Sequence, residues 1–501
     1  MARTFVRHGV VALAGVPVNN NDPLGSPPAV YVHWPPLLPI LLSMLFRIFG
    51  TSEATGHGLM AFILLASAAA LYFIARERLP RAGALLAVFF FLTLPVVIQF
   101  SQVISQQELA IFFMLVVLLA FLKAAGGQGS VRLWTLIASM AMWCAIWSSW
   151  EPFWLPVSLL AAAAWRRDPK ERRLAWLLCG VTAAALASVG LLYVIRAPDA
   201  VADLMHTIGY RLAVSRTYSA ALLNRHSFSS QMSLLQVIQN LRYFYPAMLG
   251  PAGVAAILWL LLRACDGWRL RGGSSMVTIF SGLLGPWFFW YATMWNDAAT
   301  HNFKLLLAAP GAALAMAYWT GAILRFLEER GEKVFWRASA ILVAAPLLFL
   351  VPLASAVRHN LMRDRSRTYW GFLPAIEQNV YMREPDWKMR YARVIRSATP
   401  ADAIVFAQLQ DMVPVYYSDR HFIRNVQNDA DLARTLRAAE EVFPGAPLFL
   451  ALPPEEASRG PFQDSIKKSV PVAETPDAVV YRLDAASRAL SHLAPDGDPT
   501  N

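Results

Sequence analysis

Charge and cysteine are both scarce in this chain: 15% of its residues are charged, and only three of 501 are cysteines. With 56% hydrophobic residues and a mean hydropathy of +0.42, that shortage of charge excludes an ordinary soluble domain. Cys144, Cys179 and Cys265 fall in or beside the hydrophobic part without metal-ligand spacing, and the polar C-terminal part has none. No disulfide framework or zinc site is implied. Also absent are a Gly-rich phosphate loop, a dinucleotide fingerprint, a His-Glu-x-x-His helix and a nucleophile elbow. The chain reads as a polytopic membrane protein, α-helical, with about ten spans.

A bilayer core of about 30 Å needs about 20 helical residues. Segments of that kind fall at roughly 56–76, 83–101, 108–124, 131–148, 152–165, 174–195, 245–263, 277–295, 303–324 and 338–356. Much of the net charge of +11 gathers in the loops between them, at Arg76–Arg81, Arg166–Arg173, Arg263–Arg271 and Arg325–Arg337. All four loops lie on one side, which the positive-inside rule makes cytoplasmic. The excess charge is topology, not a nucleic-acid footprint.

The same alternation puts 1–55, the Gln-rich turn at 102–108, the Trp150-Glu151 turn, the loop 196–242, the turn 294–302 and everything after 357 outside the cytoplasm. An external N-terminus needs something to carry it across, and Met1-Ala2-Arg3-Thr4-Phe5-Val6-Arg7 is neither a signal peptide nor an anchor. An upstream hydrophobic helix is therefore expected. Residues 34–50 are apolar but short and opened by prolines, which fits a juxtamembrane helix at the outer interface.

From 358 the composition turns soluble, which defines three domains: an external loop with its juxtamembrane helix at 1–55, a transmembrane domain at 56–357, and an extracytoplasmic α/β domain at 358–501. In the last, 403–406, 447–450 and 478–481 read as strands, and 386–398 and 429–442 as helices.

Several runs together resemble a known family: His33-Trp34-Pro35-Pro36-Leu37-Leu38; Phe46-Arg47-Ile48-Phe49-Gly50-Thr51-Ser52-Glu53; a long helix ending in Ala75-Arg76-Glu77-Arg78; one acid, Glu108, at the next outer turn; and His301-Asn302-Phe303-Lys304-Leu305-Leu306 followed by Pro310. In these, and in its soluble C-terminal domain, the chain is similar to the GT-C glycosyltransferases of the protein O-mannosyltransferase and aminoarabinose-transferase kind. The resemblance implies an enzyme of the bacterial inner membrane that moves a sugar from a polyprenyl-phosphate carrier to an extracytoplasmic lipid, protein or polysaccharide. It leaves a divalent metal open, and no clustered acids in this chain require one. The short, basic cytoplasmic loops fit a lipid-linked donor better than a soluble nucleotide sugar.

Departures accompany the matches. The family's leading Asp-Glu motif follows its first helix, and Met1 to Gly9 aligns with residues after that motif, so the resemblance places the principal base ahead of this numbering. Many relatives have an acid and a Lys before the Pro-Pro pair, where this chain has His33-Trp34, and a Lys in the mid-chain hairpin, where it has Trp150-Glu151. The rival reading is a non-catalytic lipid-binding, transport or assembly protein on the same scaffold.

The candidate catalytic acids are Glu108 and Asp22. Glu108 opens an apolar helix, where an acid either complements the helix dipole or holds acceptor or metal. Asp22 follows Asn19-Asn20-Asn21, a turn sequence. The candidate substrate-binding residues are His33, Trp34, Glu151, Arg211, Arg216, Asp297, His301 and Lys304. His33 and Trp34 are sugar or phosphate contacts or an interfacial anchor. Glu151 either caps a hairpin or serves a sugar site. His301 and Lys304 stand one helical turn apart and suit a phosphate, although a lysine at a span end also snorkels. Asp297 is either their positioner or a turn residue. Arg211 and Arg216 make an external basic stretch for lipid phosphate or anionic head groups.

Overall fold

The computed structural model describes residues 34–101, 103–196, 275–294, 302–329, 386–407, 418–423, 428–462 and 471–483, with scattered single positions elsewhere. The chain divides into two compact units, one of Ala2–Pro17 and Tyr31–Glu377, the other of Met1, Val18–Val30 and Gln378–Asn501.

In the first unit, α1 (Leu37–Phe49) ends at Gly50, whose φ of 83° only glycine adopts freely. The helix α2 (Glu53–Arg76) starts where the Ser52 hydroxyl accepts the Thr55 N–H at 3.1 Å, with Glu53 in the first turn. The expected span at 83–101 is instead two helices, α3 (Arg81–Thr93) and α4 (Pro95–Phe100). Pro95 holds Leu94 extended, at φ −60° and ψ 132°, and so breaks the helix there.

Two helical hairpins follow. The first joins α5 (Gln106–Ala125) to α6 (Val131–Ser148) through a short link in which Ser130 caps α6. A single 3₁₀ turn, Glu151–Phe153, then leads to α7 (Trp154–Arg166). Arg167 stops α7 at a left-handed φ of 56°, and the Asp168 carboxylate accepts from Lys170 N and Glu171 N at 2.9 and 3.1 Å to start α8 (Pro169–Arg196). Farther on come α9 (Ser275–Thr293), a 3₁₀ helix at Asn302–Ala308, and α10 (Ala309–Glu328).

Four helices, α2, α5, α6 and α8, and the stretch Lys304–Arg325 are long and apolar enough to cross a membrane, while α1 and α3 are apolar but shorter. By length and composition this unit is an integral membrane body. The expected spans at 245–263 and 338–356 and the loop 196–242 lie outside the described residues, single positions apart.

Helices in a lipid phase associate through close packing of small residues and through polar contacts rather than by expelling water. Both devices are present. A Cβ on Gly282 would come within 2.7 Å of Leu118 Cδ1, and one on Gly285 would collide with Ser158, so α9 lies tightly against α5 and α7. Polar clamps close one end of the bundle. Lys123 at the foot of α5 donates to Glu77 and Gln128, each at 2.6 Å. Arg166 pairs with Glu171, and Thr278 lies 2.9 Å from both, binding α7, α8 and α9.

The second unit is a five-stranded sheet of order β2-β1-β3-β5-β4: β1 (Ile404–Ala407), β2 (His421–Ile423), β3 (Leu448–Leu452), β4 (Pro471–Glu474) and β5 (Val479–Arg482). β1 runs parallel to β2 and β3, and β5 is antiparallel to β3 and β4. Alternate residues of β1 point to opposite faces, as the strand period of two requires. Ile404 and Phe406 join a core with Leu432 and Leu436 of α12 (Asp429–Val442), and Val405 and Ala407 join one with Tyr391 and Ile395 of α11 (Asp386–Ala398). A short α13 (Pro454–Arg459) follows β3. Both expected helices have the observed bounds. β2 and β4 were not foreseen, being three residues long in one case and proline-led and largely exposed in the other.

Candidate active site

Antiparallel hairpins sort the helix ends, so the N-terminus of α5, the C-termini of α6, α8 and α9, and the two 3₁₀ segments share the end opposite the Arg166 and Lys123 clamps. There the structure brings together three of the sequence candidates, Trp34, Glu151 and Lys304.

Glu151 is placed by the way α6 stops. Ser148 returns its hydroxyl to Cys144 O at 2.7 Å, and Ser149 turns extended, with φ −159° and ψ 166°. The 3₁₀ turn that follows carries the Glu151 side chain inward, where it is fully buried. One carboxylate oxygen accepts from the Ser149 hydroxyl and the other from the Lys304 ammonium. Glu151 does more than end a hairpin.

Lys304 stands in the 3₁₀ helix that precedes Pro310, a run longer than this helix type usually sustains and therefore held by tertiary contacts. Its ammonium is fully buried, which excludes snorkelling. It lies 4.3 Å from the centre of the Trp34 ring and 4.7 Å from that of Trp290. Two indole faces and a carboxylate thus replace the water the cation has lost, cation–π attraction reaching roughly 2 kcal/mol when desolvated. Tyr193, fully buried near the end of α8, donates to Trp34 O at 2.9 Å and so fixes the chain just ahead of α1. Behind Trp290, Phe289 stacks on Trp154 with centroids 5.4 Å apart.

Glu108 occupies the first turn of α5, a helix that packs against both 3₁₀ segments. The side chain is 6% exposed, and its Oε2 is buried and accepts no hydrogen bond from the described residues. Gln107 beside it is also buried. An acid that only complemented the helix dipole would face solvent.

His33, Asp22, Arg211, Arg216, Asp297 and His301 lie outside the described residues. Among the described residues no three His, Cys, Asp or Glu side chains form a metal-binding group. Sequence reasoning missed Trp290, Ser149 and Tyr193. A signal existed for Trp290 in the aromatic run Trp287-Phe288-Phe289-Trp290-Tyr291 at a span end. Ser149 and Tyr193 carried none, since a lone hydroxyl in an apolar helix acquires meaning only from the atom opposite it.

Residues 33–193 match the family described as dolichyl-phosphate-mannose-protein mannosyltransferase. That match includes Trp34, Glu108, Glu151 and Tyr193 and stops short of Lys304. No curated protein sequence matches the chain significantly. Among solved structures, the chain is similar to ArnT from Cupriavidus metallidurans in the apo state, at 15% identity and TM-score 0.59, covering 97% of this chain and 92% of that one. The same protein bound to undecaprenyl phosphate matches at 15% identity and TM-score 0.58, covering 91% and 89%. The Archaeoglobus fulgidus oligosaccharyltransferase in the apo form matches at 16% identity and TM-score 0.52, covering 91% of this chain and 66% of that one. These likenesses establish a shared fold.

Proposed function

Taking the GT-C fold as the premise, we propose that this protein is a membrane glycosyltransferase that moves a sugar from a polyprenyl-phosphate carrier to an acceptor hydroxyl or amine on the extracytoplasmic side. The observation that carries the reading is the buried Lys304 ammonium, walled by Trp34 and Trp290, at the same end of the helix bundle as the buried carboxyl group of Glu108. A lipid-linked donor needs a cation near its phosphate, aromatic surface for the sugar, and a carboxylate to receive the acceptor's proton. The similarity to a protein captured with undecaprenyl phosphate supports a phosphate-bearing polyprenyl ligand.

In this mechanism the acceptor atom attacks the anomeric carbon and its proton passes to a carboxylate. The bond from carbon to phosphate oxygen breaks, and its electron pair remains on the oxygen. Glu108 orients the acceptor through Oε2, the oxygen to which no described residue donates. Lys304 supplies positive charge to the phosphate. On the sequence alone, Asp22 is proposed as a second acid, and His33, Arg211, Arg216, Asp297 and His301 as sugar or phosphate contacts. The bilayer keeps the lipid tail against the apolar helices while the reacting groups meet at its outer edge.

The test is a donor panel of polyprenyl-phosphate sugars offered, together with lipid, peptide and polysaccharide acceptors bearing free hydroxyls or amines, to the purified protein in lipid nanodiscs, with release of free polyprenyl phosphate as the signal. Saturable release with at least one donor, lost in Glu108→Gln and Lys304→Gln, supports the reading. Saturable lipid binding without release from any donor favours the non-catalytic rival.

A further inference from the structure

The Lys304 ammonium that this reading assigns to the lipid phosphate is already neutralised by Glu151, with both side chains fully exposed to nothing but protein. A second anion cannot gain full attraction to a cation whose charge is matched. Resting on the reading above, we infer that Glu151 is the resident counter-ion of Lys304 and that the phosphate displaces it as charge develops during transfer. Glu151 thereby sets the site's preference between donor and product.

The charge change follows from the chemistry. The donor is a phosphodiester with one negative charge. Once the anomeric carbon leaves, the product is a phosphate monoester carrying about 1.5 to 2 negative charges at neutral pH. A single-charged diester competes poorly with a carboxylate of equal charge for one ammonium, and a monoester competes well. Lys304 is therefore held back in the ground state and released to the leaving phosphate, which is differential binding of the kind that raises turnover.

Three features make the exchange feasible. Both partners stand on 3₁₀ turns at the bundle end, not in the middle of a span, and such turns rearrange more readily than packed α-helices. The Trp34 and Trp290 faces hold the ammonium whichever anion it faces, so the cation stays and only its partner changes. Ser149 keeps a hydrogen bond on the other Glu151 oxygen, so the displaced carboxylate retains a donor. The pair at the opposite end is built otherwise. There Arg166 contacts Glu171 while Thr278 contacts both of them, a closed triangle across three helices.

The experiment measures binding of undecaprenyl phosphate, and of a polyprenyl phosphodiester of the same chain length, to the full-length protein and its variants in nanodiscs, together with thermal unfolding. With the competing carboxylate gone, Glu151→Gln is expected to bind the diester at least about tenfold more tightly, with a smaller gain for undecaprenyl phosphate, which already displaces Glu151 in the wild type. Its Tm is expected to fall without lipid and to rise more than the wild type's when undecaprenyl phosphate is added. Ser149→Ala, which loosens the carboxylate without removing it, is expected to shift affinity the same way by roughly twofold to tenfold. If Glu151→Gln does not fold, the Ser149→Ala shift decides.

Unchanged or weaker diester binding in these variants, a gain no smaller for the monoester, or a Tm loss that the lipid does not restore, means the pair is only a structural clasp and overturns the inference. The underlying reading fails differently: the wild type then shows no saturable binding of undecaprenyl phosphate, and Lys304→Gln changes nothing.

Discussion

The Lys304 ammonium donates to Glu151 across 153 residues of sequence, and neither side chain has any exposed surface. That one contact joins the α6–α7 hairpin to the start of α10. Desolvating two charges is costly, and their mutual attraction repays the cost only while both are present.

The pair therefore responds asymmetrically to substitution. Lys304→Met alone is expected to lower unfolding stability by about 3–5 kcal/mol, because it strands a buried carboxylate. The double variant Lys304→Met with Glu151→Gln is expected to recover most of that loss. Thermal unfolding of the four proteins of the cycle in one detergent checks this, and a double variant no better than the single one contradicts it.

Glu108→Gln is expected to reduce sugar transfer by about a hundredfold while preserving the fold, since Glu108 orients the acceptor and a misplacement of about 1 Å costs roughly 10² in rate. Turnover measured beside Tm separates the two effects. Equal activity in the variant removes Glu108 from the acceptor side.

Tyr193→Phe removes one hydroxyl, the donor that holds Trp34 O at 2.9 Å. The expected cost is about 1 kcal/mol of stability, with weaker lipid-phosphate binding because the Trp34 face moves off the ammonium. A Trp34 fluorescence shift on adding undecaprenyl phosphate, read in a background with the other tryptophans unchanged, is expected to diminish in the variant.

Gly285→Val is expected to destabilise the membrane unit by roughly 1–3 kcal/mol, because its side chain needs the volume now filled by Ser158. Adding Ser158→Gly is expected to restore part of the loss. Retention of folded protein after heating in detergent ranks the three.

In the C-terminal unit, burial pushes the Glu456 carboxyl above its ordinary value, and the neighbouring Glu455 charge pushes it further. A raised folded value means the fold prefers the protonated acid, so this contribution is fully present below the unfolded value and is lost as pH rises through the folded one. Glu456→Gln is expected to slow hydrogen exchange around Pro454–Arg459 at about pH 8 and to change it little at about pH 4. Equal exchange at both pH values contradicts the assignment.

How much was legible in the sequence depended on whether the signal was local. The bounds of α6, α11 and α12 follow from runs of apolar spacing and from caps such as Ser130 and Asn428, which lie beside the residues they stop. Glu151, Lys304 and Trp34 stood out because charge and a proline-flanked indole are conspicuous in so apolar a chain. β2 was hidden because three residues carry too little period to detect.

By itself the sequence determined the class of protein and the ends of many of its helices, since hydropathy over about 20 residues and capping chemistry act within a segment. Only the tertiary structure decided that Glu151 meets Lys304, that Trp290 faces the ammonium, and that Tyr193 anchors Trp34. Those choices depend on how hairpins far apart in the chain are packed side by side. A buried charge has no preferred partner until packing has removed the water that would otherwise satisfy it.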